Sequence, residues 1–245
     1  MNIVIPLAGA GMRFRSAGYS MPKPLIDVAG RPMLYWALDS LLPLFENHSF
    51  IFVALREVFE QTELKDVIKS RCPRAILVPL DAPTRGQAET VWMARSFLAP
   101  SEPLLIFNGD TYVGTRIKET IAKCAETIDG LINIFPSSDP AFSYVEIDSD
   151  ELVRSVREKR VISTWATSGL YYFRSTRGYL DMMSQALIDP VPQEGEWYVA
   201  LLYERMISQG SLIGVDHASF CYPLGTPEQL MAFMKLSIQK ECLYE

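Results

Sequence analysis

Ile3-Val4-Ile5-Pro6-Leu7-Ala8-Gly9-Ala10-Gly11-Met12-Arg13, followed by Met21-Pro22-Lys23-Pro24-Leu25, decides how the chain is read. An uncharged apolar run breaks into a turn with two glycines. An arginine stands two residues after the second glycine, and a lysine is set between two prolines. A short buried strand that ends this way belongs to an α/β sheet, whose ligands sit at the carboxyl ends of the strands. Gly9 and Gly11 permit backbone angles that other residues resist, so main-chain amides can converge on an anion. Arg13 adds a forked donor suited to phosphate oxygens, and Lys23 a compact charge on a backbone stiffened by Pro22 and Pro24. Read alone, the turn is equally a strand-to-helix connection with an exposed arginine. It is not the dinucleotide fingerprint, because Phe14 stands where a third glycine would be needed, and no G-K-[ST] follows to make a Walker loop.

Working outward, short β-rich runs alternate with helical patterns. Ile3–Leu7, Phe50–Leu55, Ala75–Pro79, Leu104–Phe107 and Gly130–Phe135 read as buried strands. Pro32–Leu44, Val58–Ser70, Gln87–Leu98 and Thr115–Glu126 read as the helices between them. The second half changes character: strands at Tyr144–Ile147, Leu152–Val156 and Ser168–Phe173, then helices at Tyr179–Leu187, Glu196–Gln209 and Pro227–Ile238. Asp148 to Glu151 reads as a hairpin turn and Pro190 to Gly195 as a loop too short to separate domains. The expected fold is α/β: a single domain with a mixed, mostly parallel sheet flanked by helices.

The chain has 245 residues, 49% of them hydrophobic, and a net charge of −6. That balance argues against a broad nucleic-acid surface but leaves room for a locally basic pocket. Cys72, Cys124, Cys221 and Cys242 form no C-x-x-C, and the only histidines are His48 and His217, which disfavours a zinc site or a disulfide framework. With no signal-peptide pattern and no long apolar span, the expectation is a cytoplasmic protein with no membrane partner.

Leu7 to Phe14, then Pro22 to Leu34, resembles the signature of the nucleotidyltransferases that make sugar nucleotides: G-x-G-x-R, then P-K, then G-[KR]-P-[ML] opening a helix. The resemblance implies a Rossmann-like sheet of the glycosyltransferase-A type over 1–245, with a nucleotide-binding half (1–135) and an acceptor-binding half (136–245). It implies a reaction in which an acceptor's phosphate attacks the α-phosphorus of a nucleoside triphosphate and releases pyrophosphate. Thr84 to Val91 resembles the family's base-contacting segment, where Gly86 would let the main chain lie against a flat ring and Gln87 and Glu89 are candidate specificity residues. Asp110, in Asn108-Gly109-Asp110, falls just past a buried strand. Its residue type suits either magnesium or a helix N-cap, and the resemblance implies Mg²⁺. Glu158-Lys159 and Thr167-Ser168-Gly169-Leu170-Tyr171 resemble the acceptor-binding E-K and T-G-[IL]-Y, and Glu196 a further acceptor contact.

The resemblance thus implies catalytic roles for Arg13, Lys23 and Asp110, with Asp110 also the metal ligand. It implies nucleotide contacts from Leu7, Ala8, Gly9, Ala10, Gly11, Gly86, Gln87, Asn108 and Gly109, and acceptor contacts from Glu158, Lys159, Thr167, Gly169 and Glu196. A phosphomonoester is largely dianionic at neutral pH, so no general base is required. One departure stands out. Pro223, in Tyr222-Pro223-Leu224-Gly225-Thr226-Pro227, occupies the place of the family's second metal aspartate. Three explanations are open: Asp216 or another acid substitutes, Asp110 and phosphates suffice, or catalysis is reduced. A subgroup linked to capsule and surface-polysaccharide genes resembles the chain further, sharing I-P-x-A-G-x-G-x-R-F and L-G-T-P, and extends the acceptor to small phosphorylated molecules other than hexoses. Two rivals remain: a glycosyltransferase of the same fold, and a non-catalytic nucleotide or sugar-phosphate sensor. The sequence does not set the oligomeric state.

Overall fold

The computed structural model describes residues 1–9, 11–46, 48–124, 126–188 and 195–241. Strand β1 (Asn2–Pro6) runs into the glycine turn, and helix α1 (Met12–Ser16) leaves it from Gly11, whose φ of 63° lies in the left-handed region. A 3₁₀ turn at Lys23–Leu25, the two-residue strands β2 (Asp27–Val28) and β3 (Arg31–Pro32), and α2 (Met33–Asp39) follow. Next come β4 (Ser49–Leu55), α3 (Arg56–Gln61), α4 (Leu64–Arg71), β5 (Ile76–Leu80), α5 (Gln87–Met93) and β6 (Leu104–Phe107). After β6 the chain forms β7 (Thr111–Gly114), α6 (Ile117–Cys124), β8 (Gly130–Pro136), β9 (Tyr144–Ile147), β10 (Val153–Arg157) and β11 (Trp165–Phe173). It closes with α7 (Thr176–Ala186), α8 (Val199–Ser208), β12 (Ile213–His217), β13 (Phe220–Pro223) and α9 (Pro227–Glu241). Among the described residues no helix is long and apolar enough to cross a membrane.

The expected mixed sheet is present. Strands β6, β1, β4 and β5 lie side by side in parallel, the arrangement that alternating strands and helices enforce. Strand β11 then runs antiparallel to β6 and, further along, to β9 on one side and to β8 on the other, and β12 adds in parallel to β8. All four residues of β6 are fully buried, which fits a strand covered on both faces. One face packs against α5, α7 and α8 through residues such as Val91, Met183 and Tyr203; the other packs Leu34, Leu38 and Ile68 from α2 and α4.

Several expectations shift in detail. The helix read at Val58–Ser70 is two helices, broken where the Thr62 hydroxyl donates back to the Val58 carbonyl at 2.6 Å and Thr62 turns extended. Strands β7, β12 and β13 were not expected. Each is short, and β7 with β13 forms a separate two-stranded ribbon. The turn at Asp148 to Glu151 does close a hairpin, with the Asp148 carboxylate accepting from the Asp150 and Leu152 amides. The loop read at Pro190 to Gly195 lies outside the described residues except for Gly195.

Tyr203 ties α8 to the sheet: it is fully buried, and its hydroxyl donates to the Tyr172 carbonyl at 2.7 Å and the Leu131 carbonyl at 3.2 Å. Tyr203→Phe should lower stability by about 1 kcal/mol, read as a lower urea midpoint at unchanged slope.

Candidate active site

The carboxyl ends of β1 and β6 open into a cleft of about 730 Å³. The described residues for which the resemblance implies catalytic, nucleotide or acceptor contacts all line it: Leu7, Ala8, Gly9, Gly11, Arg13, Lys23, Gly86, Gln87, Asn108, Gly109, Asp110, Glu158, Lys159, Thr167, Gly169 and Glu196. Ala10 lies outside the described residues. Both halves of the chain therefore wall one cavity.

On the first wall, a Cβ at Gly9 would meet nothing within 4 Å, so that turn faces open space. Arg13 is exposed, and its guanidinium makes no hydrogen bond or ion pair among the described residues. Asp110 caps no helix, since it precedes β7. Its carboxylate forms an ion pair with the Lys23 ammonium, and both side chains are largely shielded from solvent, 19% and 28% exposed. The Asp110 carbonyl accepts from the Leu224 amide at 2.8 Å, which draws Pro223 and Gly225 to the same spot. A Cβ on Gly225 would lie 3.0 Å from the Asp110 carboxylate.

Asn108 and Gly109 form the floor. The Asn108 amide nitrogen of the main chain donates to the Gly169 carbonyl at 3.2 Å, and its side-chain oxygen accepts from Gln87. Gly169 has φ 88°, and a Cβ there would fall 2.2 Å from the Asn108 side chain. A Cβ on Gly109 would fall 2.3 Å from a methyl of Leu7, whose side chain would have to move to admit it. At Gly86 the main chain of Trp197 packs closely, 2.5 Å from where a Cβ would stand. Glu89 does not reach the cleft as a specificity residue. Its carboxylate accepts from the Arg85 amide at 2.6 Å and from the Arg85 guanidinium at 2.8 Å.

On the opposite wall, Lys159 sits at φ 51°; its ammonium donates to the Tyr198 hydroxyl and lies 4.6 Å from the ring centre. That hydrogen bond raises the lysine's pKa above its ordinary 10.5, keeping it charged. Glu158 accepts from the Ser143 hydroxyl. The Thr167 hydroxyl meets the Tyr171 hydroxyl at 2.9 Å, and burial pushes the Tyr171 phenol up. Cys221 also lines the cleft; burial pushes its thiol up to about 12, so it is no thiolate nucleophile at neutral pH. Sequence reading missed Arg85, Ser143, Ser168, Tyr198 and Gln229 as lining residues. Only Tyr198 carried a signal, its position beside Glu196.

Asp216 does not replace the missing aspartate. It is buried away from the cleft, and its carboxylate accepts from Thr115, from Thr120 at 2.8 Å and from the Asn133 side chain at 2.6 Å. Among the described residues no group of three or more His, Cys, Asp or Glu is placed to hold a metal.

A family model described as nucleotidyl transferase matches residues 3–211. The chain is 24% identical over 98% of its length to the mannose-1-phosphate guanylyltransferase catalytic subunit beta of Xenopus tropicalis, and spans 65% of that relative. It is 22% identical over 95% of its length to the bifunctional protein GlmU of Methanococcus maripaludis, spanning 53% of it. Among solved structures, the nucleoside-diphosphate-sugar pyrophosphorylase of Vibrio cholerae aligns with TM-score 0.82 and 25% identity, covering 95% of this chain and 99% of that one. The fold also matches a putative glucose-1-phosphate thymidylyltransferase from Bacillus anthracis in complex with a sucrose, with TM-score 0.77 and 17% identity, over 96% of this chain and 94% of that one.

The Arg85–Glu89 pair gives the cleft rim a pH dependence. The guanidinium hydrogen bond holds Glu89 below its ordinary 4.5. A carboxylate with a depressed folded pKa stabilises the fold above the unfolded value and loses that contribution as pH falls through the folded one. Arg85→Ala should therefore cost about 0.5 kcal/mol at neutral pH, given the exposed guanidinium, and nothing once Glu89 is protonated in the fold. Urea unfolding at neutral and strongly acid pH measures the difference.

Proposed function

The chain belongs to the nucleotidyl transferase family, and from that premise we propose that it couples a nucleoside triphosphate to a sugar 1-phosphate or another small phosphorylated acceptor and releases pyrophosphate. The observation that carries the reading is the division of cations across one cleft: Arg13 and Lys23 beside the open glycine turn, and Lys159 with Glu158 and Glu196 on the facing wall. Two polyanions can be held there against each other. Residues 1–135 would serve the nucleotide and 136–245 the acceptor, in a cytoplasmic protein whose product feeds surface-polysaccharide synthesis.

The acceptor phosphate brings its own nucleophilic oxygen, so the protein's work is positioning and charge stabilisation. The amides of the Gly9–Gly11 turn hold the triphosphate. Arg13, with no ion pair to give up among the described residues, takes the β- and γ-phosphate oxygens and the departing pyrophosphate. Lys23 turns from Asp110 toward the α-phosphate, where charge builds in the transition state. Lys159, kept charged by Tyr198, holds the acceptor phosphate, while Glu158 and Glu196 accept from acceptor hydroxyls.

Asp110 would hold Mg²⁺, which when bound neutralises charge on the phosphate oxygens. The residues fit that ion: magnesium is commonly held by one or two carboxylates with water and substrate phosphates completing its shell. Pro223 favours a second reading, a non-catalytic nucleotide or sugar-phosphate sensor.

Pyrophosphate release from each of the four common nucleoside triphosphates, against several sugar 1-phosphates and other small phosphomonoesters, separates these readings. Transfer requires triphosphate, acceptor and Mg²⁺ together; binding without release in every pairing supports the sensor. In the active pairing, Lys23→Ala and Asp110→Ala should each lower kcat by about 10²–10³. A Lys23→Ala protein with wild-type kcat removes the catalytic role assigned to that lysine.

A further inference from the structure

The segment that carries Glu196 was expected to be helical, yet α8 begins only at Val199. The reason lies in Trp197. Its amide donates to the Arg85 carbonyl at 2.8 Å, and its carbonyl accepts from the Ala88 amide at 2.8 Å. These two main-chain bonds bracket Gly86. The fit is close: at φ 142°, a Cβ on Gly86 would stand 2.5, 2.7 and 2.9 Å from the nitrogen, oxygen and carbonyl carbon of Trp197. Backbone atoms in a bracket cannot swing aside as a side chain can, so only glycine fits.

The surface on which Trp197 rests is itself tied down. The Thr84 hydroxyl donates to the Gly86 carbonyl at 3.1 Å, the Glu89 carboxylate accepts from the Arg85 amide at 2.6 Å, and the buried Tyr179 hydroxyl donates to the Ala88 carbonyl at 2.6 Å. The Trp197 indole packs in the core with its Nε1–H unpaired, so its side chain has no polar anchor of its own. Main-chain bonds set this position.

The flanking residues face the cleft. Glu196 and Tyr198 line it on either side of Trp197, and the Tyr198 hydroxyl takes the Lys159 ammonium, which sits on a strained φ of 51°. We infer that Trp197 is a positioning residue: its main chain, bracketed on Gly86, sets Glu196 and Tyr198 and, through Tyr198, the Lys159 ammonium. The loop read as nucleotide-binding thereby also builds the acceptor wall. The inference rests on the proposed function for the names of the two walls, but not for the bracket itself.

Gly86→Ala tests it on the resting protein by amide hydrogen exchange. The amides of Ala88 and Trp197 should exchange at least about tenfold faster than in wild type, while those of β6 keep their protection and report an intact fold. In turnover with whichever pair the wild type uses, Gly86→Ala should raise the acceptor KM by about tenfold at saturating triphosphate. Tyr198→Phe keeps the bracket and the ring but removes the hydroxyl. It should raise the acceptor KM several-fold, with triphosphate KM and Trp197 exchange unchanged. Unaltered exchange at Trp197 in Gly86→Ala, or a wild-type acceptor KM in both variants, overturns the inference. If the wild type releases no pyrophosphate with any pair, the transferase reading fails by itself, and the exchange result, which needs no substrate, still decides the bracket.

Discussion

The antiparallel pairing of β11 with β6 is the constraint on which the rest of this molecule depends. It places Leu170 to Phe173 against Phe107 to Leu104, and so delivers Thr167, Ser168 and Gly169 opposite Asn108, Gly109 and Asp110. Just beyond the paired residues, the Asn108 amide bonds the Gly169 carbonyl, and the absent side chain of Gly169 leaves room for Asn108. A parallel sheet alone would leave the loops after β1 and β6 facing a void. With β11 seated, the same loops face a second wall that carries Lys159 and the carboxylates.

Three of the cleft's cations already hold a side-chain partner before any ligand arrives. Lys23 is paired with Asp110, Arg85 with Glu89, and the Lys159 ammonium donates to the Tyr198 hydroxyl. Arg13 is the exception among the cleft's cations in having no such contact among the described residues. Paired, half-shielded groups keep their rotamers, which reduces the ordering cost when a ligand is gripped. An exposed guanidinium is the group most easily recruited by an incoming polyanion. The resting contacts thus set apart Lys23 and Lys159, which in the proposed reaction meet the ligand from an existing contact, from Arg13, which has none to exchange among the described residues.

Much of this was legible in the sequence, because hydrophobic runs and glycine-punctuated turns are local signals. The strands β1, β4, β6, β8 and β9 stand close to where their apolar runs put them. The loop residues from Leu7 to Lys23 and from Asn108 to Asp110 were recognisable by type and spacing. What escaped was set by tertiary contact. Strand β12 exists because β8 offers it an edge, and β13 because β7 does. Trp197 stays out of the helix because two main-chain bonds tie it to Arg85 and Ala88. Ser143 lines the cleft between Thr167, whose amide donates to its carbonyl, and Glu158, whose carboxylate accepts from its hydroxyl. No window of sequence around any of these residues contains its partner.

Pro223 is best understood from the same charge balance. Its register partner on β7 is Thr111, so it stands beside Asp110, and Gly225 leaves the Asp110 carboxylate uncrowded. A second carboxylate there would meet Asp110 at close range, where like charges disfavour ionisation of both unless a dication is present. With proline in that place, Asp110 pairs with Lys23 and meets no second carboxylate there. The cleft then presents a triphosphate with less fixed negative charge to overcome, at the cost of weaker hold on a free cation. In the proposed reaction such a site would take metal and nucleotide together, since the phosphate oxygens would supply the ligands that the protein does not.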